Sequence, residues 1–332
     1  MYEYKTREIS LLPRENNQIR QTSSSVFCVQ KNLEGLEKKR GRDVKRHPLK
    51  ALFKYLDNHN GSLSEYALDR HIQPSTFRAR IRSSLIKFID KTAWLDIPDG
   101  PLIAIADALN QIVKGETRTI YFILLRSVSS TEAIITLPFI HQGTESGTNG
   151  WYEAFDALPY GVKNRIVALV CDGRNTLVCL ARKEQWLLQR CHFHIIWSIA
   201  NYTRIGPLSR TRGTGLQVKS LVDIILTNPD RIKTKRAAAN LNILKKEINS
   251  KGLQKVLTGF IKHHSDFRTY LLFPELNLLI TTNTAESLIG KVRNLQYRAK
   301  GFRSIDSLLK WVIALCKKQG FIVCRGRKNQ PN

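Results

Sequence analysis

Arg165-Ile166-Val167-Ala168-Leu169-Val170-Cys171-Asp172 is the stretch that decides how this chain folds. It runs apolar without a break from Ile166 to Cys171. A short continuous apolar run of this kind predicts a β-strand buried on both faces, as in a sheet covered by helices. The run stops at a carboxylate, and Gly173 follows. A charge at the end of a buried strand is costly unless it has a partner or a task. Asp172 is therefore both the end of the strand and the first candidate for chemistry.

Further strands lie upstream. Leu102–Ala106 is a second short apolar run, and it ends at Asp107. Thr119–Val128 (TIYFILLRSV) is rich in β-branched and aromatic residues, and 133–137 repeats the pattern. Three consecutive antiparallel strands are expected here. Trp151–Leu158 reads as a helix, and after Asp172 come a helix, a short strand (Trp186–Gln189) and another helix. Three strands followed by alternating helix and strand predict an α/β fold, a mixed sheet flanked by helices. If the strands that end in Asp107 and Asp172 are neighbours, the two carboxylates converge and repel, and each raises the other's pKa. A divalent cation relieves that repulsion, and hard oxygen ligands suit Mg²⁺ or Mn²⁺.

The expected core spans 98–196 and resumes over 279–320. Between them, 197–278 reads as a basic helical insertion with a Gly/Arg/Thr loop at Ser209–Gly215. Two closing helices are expected at Thr284–Arg298 and Ile305–Lys317, and 321–332 forms a basic tail. A third acid, Glu286, lies in Thr281-Thr282-Asn283-Thr284-Ala285-Glu286. Asn283 and Glu286 also have capping-box spacing, so helix-end chemistry alone can account for this Glu. In Gln189-Arg190-Cys191-His192-Phe193-His194, Cys191 and His194 have the spacing of half a zinc site without a second pair. They can equally be a buried thiol and a hydrogen-bonded core imidazole, or groups that orient the acids.

The charge balance names the partner class. The 332 residues carry 53 Lys plus Arg against 27 Asp plus Glu, a formal net charge of +26. Such an excess points to a polyanion, and nucleic acid is the expected one. No long apolar run supports a membrane. Residues 1–46 are polar and basic, a linker or an arm along a DNA backbone. Residues 47–92 read as three short helices, the second opened by a capping box at Ser62-Leu63-Ser64-Glu65. The third carries Arg78, Arg80, Arg82 and Lys87, the layout of a helix-turn-helix that sets its last helix in the major groove. A plain three-helix bundle with a basic face is the alternative. The six cysteines form no framework, and MYEYKTREIS carries charges where a secretory signal would be apolar. Reduced thiols in a cytoplasmic protein are expected.

Together these blocks resemble the DDE transposases of the bacterial IS256 group and the eukaryotic Mutator-like elements. Val170-Cys171-Asp172-Gly173 looks like that family's strand-D-G element. The Gln189–His194 block looks like its Q-R-C-x-x-H segment, Thr281–Ser287 like its T-T-N-x-x-E-S segment, and Gly301-Phe302-Arg303-Ser304 like the segment that often follows. Glu145 with Trp151 resembles an E…W pair before the second Asp. The resemblance covers about residues 100–315. It implies an RNase H-like catalytic domain that holds two Mg²⁺ (or Mn²⁺) ions on Asp107, Asp172 and Glu286, with Asp107, assigned by order and strand position, bridging them. Cys191 and His194 would lie just outside that site. It also implies strand nicking followed by transfer of the freed 3′-OH, with transposon ends and target DNA as partners and no small-molecule substrate. A homo-oligomer on DNA is expected, since two ends must be paired. Lys291, Arg293 and Arg303 would hold end DNA, unless they form only a solvated cationic face. Two alternatives stand beside this reading: a DNA-binding remnant without catalysis, and an RNase H-like nuclease without strand transfer.

Overall fold

The computed structural model describes residues 48–58, 61–68, 71–91, 97–145, 149–203, 212–302, 304–318 and 322–324. The basic arm 1–46, Arg303 and most of the tail lie outside them.

The described residues begin with three helices: α1 (Pro48–Asn58), α2 (Leu63–Leu68) and α3 (Pro74–Lys91). The expected capping box forms. Ser62 N–H donates to Glu65 Oε2 at 2.6 Å, and Glu65 N–H donates back to Ser62 Oγ at 3.3 Å. Tyr55, Tyr66, Phe77 and Ile81 close the small core between these helices.

Among the described residues, seven strands then make one mixed sheet: β1 (Leu102–Val113), β2 (Glu116–Ser127), β3 (Ile134–Thr136), β4 (Phe139–Gln142), β5 (Ile166–Cys171), β6 (Leu187–Arg190) and β7 (Ile322–Cys324). Their order is β6-β5-β1-β2-β3-β7, with β4 also paired to β2. The first three are antiparallel, as expected, while β5 runs parallel to β1 and β6 parallel to β5. Three features differ from the sequence reading. β1 does not stop at Asp107 but runs on to Val113, closing a hairpin through Lys114 (φ 53°) and Gly115 (φ 80°). Two consecutive left-handed residues are what a tight two-residue hairpin needs. β4 went unread because its four residues carry no clear alternation. β7 falls inside the expected tail, where three residues gain strand character only by lying parallel to β3.

Alternation along β1 divides its two faces. Leu102, Ala104 and Ala106 enter an apolar layer with Trp151 and Phe155 of α4 (Gly150–Asp156) and Leu177, Leu180 and Ala181 of α5 (Asn175–Lys183). Ile103, Ile105 and Asp107 therefore point to the opposite face, where α11 (Asn283–Ala299) lies against β1. α12 (Ile305–Lys318) follows and packs against α3.

After β6, α6 (His192–Thr203), α7 (Arg212–Thr227), α8 (Arg231–Glu247) and α9 (Lys251–Lys262) form the helical insertion. It has its own core of Ile195, Ile199, Val218, Val222, Leu241, Leu257 and Phe260. The loop expected up to Gly215 already belongs to α7 from Arg212 onward, because Leu216 to Leu226 supply an apolar stripe strong enough to carry the helix across Gly213 and Gly215. Single helical turns at His264–Phe267 and Pro274–Leu276, with α10 (Thr269–Leu272) between them, return the chain to the sheet. Arg126, fully buried on β2, donates to the carbonyls of Ser130 and Asn277 and so ties this return to the sheet.

Candidate functional site

Three acids from distant parts of the chain come near enough for Asp172 and Glu286 to act on the charge of Asp107. The parallel β1–β5 pairing ends at Ala106↔Cys171, so Asp107 and Asp172 are the next residues on two adjacent strands. Neighbouring strands lie about 4.8 Å apart. β5 stops there while β1 continues along β2, pairing Asp107 with Phe122. Asp107 thus sits mid-strand, yet its β5 side is open. Glu286, in the first turn of α11, approaches from the same face. Burial pushes the Asp107 carboxyl up to about 7, and repulsion by Asp172 and Glu286 adds to this. The Ala108 N–H, 2.8 Å from Asp107 Oδ1, and the nearby His194 pull the other way.

Each remaining acid has its own support. Asp172 Oδ1 accepts the Arg174 N–H at 3.0 Å, and Oδ2 accepts Arg174 Nε at 3.1 Å. The same Nε lies 2.9 Å from Glu145 Oε2. Glu145 is buried and accepts Trp151 Nε1–H at 2.9 Å, so the E…W pair is a direct hydrogen bond. Burial raises the Glu145 pKa against the pull of Trp151 and Arg174. Glu286 is not half of a capping box with Asn283. The N-cap is Thr282, whose hydroxyl donates to Glu286 Oε1 at 2.6 Å. His194 Nδ1 lies 3.5 Å and Cys191 Sγ 3.9 Å from that oxygen.

The Gln189–His194 block builds the wall behind the acids. Cys191 N–H donates to Cys171 O at 2.8 Å, and His192 N–H to Ile280 O at 2.9 Å, so this crossing carries both β6 and the approach to α11. Gln189, fully buried, donates to Phe267 O and accepts from Tyr270 N–H. His192 Nε2 is 2.7 Å from the same Phe267 carbonyl. Thr282 N–H points at Cys191 Sγ at 3.4 Å. Burial pushes the Cys191 thiol up, but the adjacent His194 ring and the hydrogen bond from Thr282 outweigh it and hold its pKa below the usual range. The Cys191 thiol beside it lifts His194 to about 9, against the effect of burial. Both groups rest against Glu286.

A groove of about 470 Å³ opens from these groups, lined by Asp172, Arg190, His194, Ser198, Tyr202 and Lys255. Its far wall is α9, so the insertion and the acid cluster border one surface. The other expected cationic positions lie elsewhere. Arg78, Arg82 and Lys87 are exposed on α3 and Arg80 is half-buried. Arg78 donates to Ser64 Oγ across to α2. Arg293 is exposed and lines a second cavity with Arg298, Lys300 and Glu65, whereas Lys291 is half-buried. Arg298 donates to the carbonyls of Tyr55 and Leu56 and joins α11 to α1. Arg174 and Thr282 were missed as site residues. Arg174 had a signal in its position two residues past Asp172, while the hydroxyl of Thr282 shows its use only once α11 is docked.

Compared with known proteins, the chain matches no family model and no curated protein. Among the described residues, no helix is long and apolar enough to cross a membrane.

Proposed function

We propose that this chain is a DNA transposase with an RNase H-like catalytic domain, and that Asp107, Asp172 and Glu286 form its cation-binding centre. One observation carries the reading: carboxylates from β1, the end of β5 and the first turn of α11 lie near enough to repel one another beside the C-terminal end of β5, and the buried Asp107 is driven up to about 7, first by burial and then by the other two. A group so disfavoured as an anion calls for a cation, and a set of carboxylate oxygens suits a hard one such as Mg²⁺ or Mn²⁺. The contacts of Glu286 described above use Oε1, which leaves Oε2 to face a cation. Bound divalent cations would supply charge neutralisation and an activated water or 3′-hydroxyl.

The chain's own residues do the positioning. Thr282 fixes the Glu286 carboxylate, and the Trp151–Glu145–Arg174 relay fixes Asp172. Arg190 and Lys255 set positive charge along the groove beside Asp172, where a phosphodiester backbone can lie. The net charge of +26 favours a DNA partner overall. The three-helix segment α1–α3 would act as a helix-turn-helix, with α3 toward the major groove. Pairing of two ends would require a homo-oligomer on DNA.

The test uses a supercoiled plasmid that carries the DNA flanking this chain's coding sequence. Mg²⁺-dependent nicking at the element ends is expected, followed by joining of a pre-nicked 3′-OH end to target DNA. Asp172→Ala should abolish both. Nicking that survives Asp172→Ala overturns the assignment, and nicking without joining makes the protein a nuclease.

A further inference from the structure

The acid cluster has a second side whose chemistry differs from carboxylate alone. Cys191 Sγ, a His194 ring nitrogen and a Glu286 carboxylate oxygen all lie within 4.8 Å of one another. They come from the turn after β6, the first turn of α6 and the first turn of α11. We propose that these three side chains form a binding site for a thiophilic divalent cation, Zn²⁺ being the physiological one, that shares only Glu286 with the hard-cation centre.

Four observations carry this. The donor set is one sulfur, one imidazole nitrogen and one carboxylate oxygen, which selects Zn²⁺ and Co²⁺ over Mg²⁺. Cys191 is fully buried and held in place by the backbone N–H of Thr282. His194 Nδ1 is buried and makes no hydrogen bond of normal geometry, since Glu286 Oε1 at 3.5 Å is too far for a good one. A buried ring nitrogen left in that state is the residue one expects to find where a ligand is missing its partner. Finally, three protein ligands leave a fourth position open, and His194 borders the groove, so a cation has both an entry path and room for a water. On binding, the Cys191 thiol releases its proton to solvent and no electrons are transferred.

The site goes beyond the proposed catalysis and stands without it, because it needs neither Asp107 nor DNA. If the hard-cation reading also holds, a cation seated here draws Glu286 toward Cys191 and competes for the carboxylate that the other centre uses.

Co²⁺ titration of the full chain in Mg²⁺-free buffer is the test. The expected result is a thiolate-to-cobalt charge-transfer band in the near ultraviolet, with tetrahedral d–d bands in the visible, saturating at one equivalent and bleached by Zn²⁺. Cys191→Ser should remove the charge-transfer band, while Cys179→Ser, at an exposed cysteine, should leave it unchanged. Glu286→Gln should weaken binding at least tenfold. X-ray absorption on the Zn²⁺-loaded unaltered chain needs no variant, and it should give one sulfur at about 2.3 Å and nitrogen or oxygen at about 2.0 Å. No band at one equivalent, a band that persists in Cys191→Ser, or a zinc shell without sulfur overturns the proposal. Loss of nicking bears on the hard-cation centre alone and leaves these readouts unaffected.

Discussion

Replacing Asp107 with Asn should make the metal-free protein more stable, although the residue lies inside the candidate active site. Its carboxyl is lifted from the ordinary 3.8 to about 7, first by burial and then by Asp172 and Glu286. The sign follows from which state holds the proton more tightly. Here the folded state does, so ionisation of Asp107 penalises folding. The penalty is absent near pH 4, grows as pH rises between the two values, and is complete above about pH 7. At about 1.4 kcal/mol per tenfold, the full cost is roughly 4 kcal/mol. Asn is nearly isosteric, keeps an oxygen for the Ala108 N–H and carries no charge. At pH 8 in EDTA, Asp107→Asn should therefore unfold about 6 °C above the unaltered chain, taking roughly 1.5 °C per kcal/mol for a chain of this size. Differential scanning calorimetry at pH 8 and again at pH 4.5 measures this, and the gap should nearly close at the lower pH. Millimolar Mg²⁺ at pH 8 should raise the melting temperature of the unaltered chain and leave the Asn variant nearly unmoved. Equal stability at pH 8, or a gap that does not depend on pH, would refute the claim that Asp107 is a buried, repelled carboxylate.

Three further outcomes follow from other contacts. Gly173→Ala should lower the free energy of unfolding by about 1–2 kcal/mol, because φ there is +87° and the added Cβ would lie 2.9 Å from Arg190 Cδ; an unchanged denaturant midpoint would mean that the turn after Asp172 is not strained by a side chain. Gln189→Leu strips the buried Tyr270 N–H of its acceptor and Phe267 O of one donor, so roughly 1–3 kcal/mol should be lost. Hydrogen exchange should then quicken over 264–272, and protection equal to the unaltered chain there would show that the return segment is held by something else. Arg293→Ala should weaken DNA binding in fluorescence anisotropy by a similar factor for all sequences and reduce the salt slope by about 1; a change confined to one sequence would mean that Arg293 reads bases.

Much of the sheet was readable because its strands are locally explicit. Ile166–Cys171 is apolar throughout, and Thr119–Ser127 carries β-branched and aromatic residues on both faces, so each declares itself a buried strand without help from the rest of the chain. Where pairing rather than composition makes the strand, the sequence was silent. Gln111, Ile112 and Val113 are in β1 because β2 folds back on them, and Ile322–Cys324 is a strand because it lies along β3. The candidate site divides in the same way. Asp172 was legible from the strand it terminates. Asp107 was identified as an acid at the edge of an apolar run, but its mid-strand position follows from β1 continuing in register with β2 beyond the end of β5. Arg174 and Thr282 gained roles only through partners far away in sequence or on another element.

By itself, then, the sequence determined the α/β class, the buried central strand with its terminal carboxylate, the helical and basic character of the insertion, and a charge suited to a polyanion. Hydrophobic pattern and composition are local properties that survive without a fold. The tertiary structure alone decided that Asp172 and Glu286 come near enough to Asp107 to act on its charge, that Glu286 clusters with Cys191 and His194, and that α9 of the insertion lines the groove beside Asp172 and His194. Convergence depends on strand order and register, and a one-residue slip of β5 against β1 would remove Asp172 from the cluster while leaving the local sequence pattern of both strands as it was.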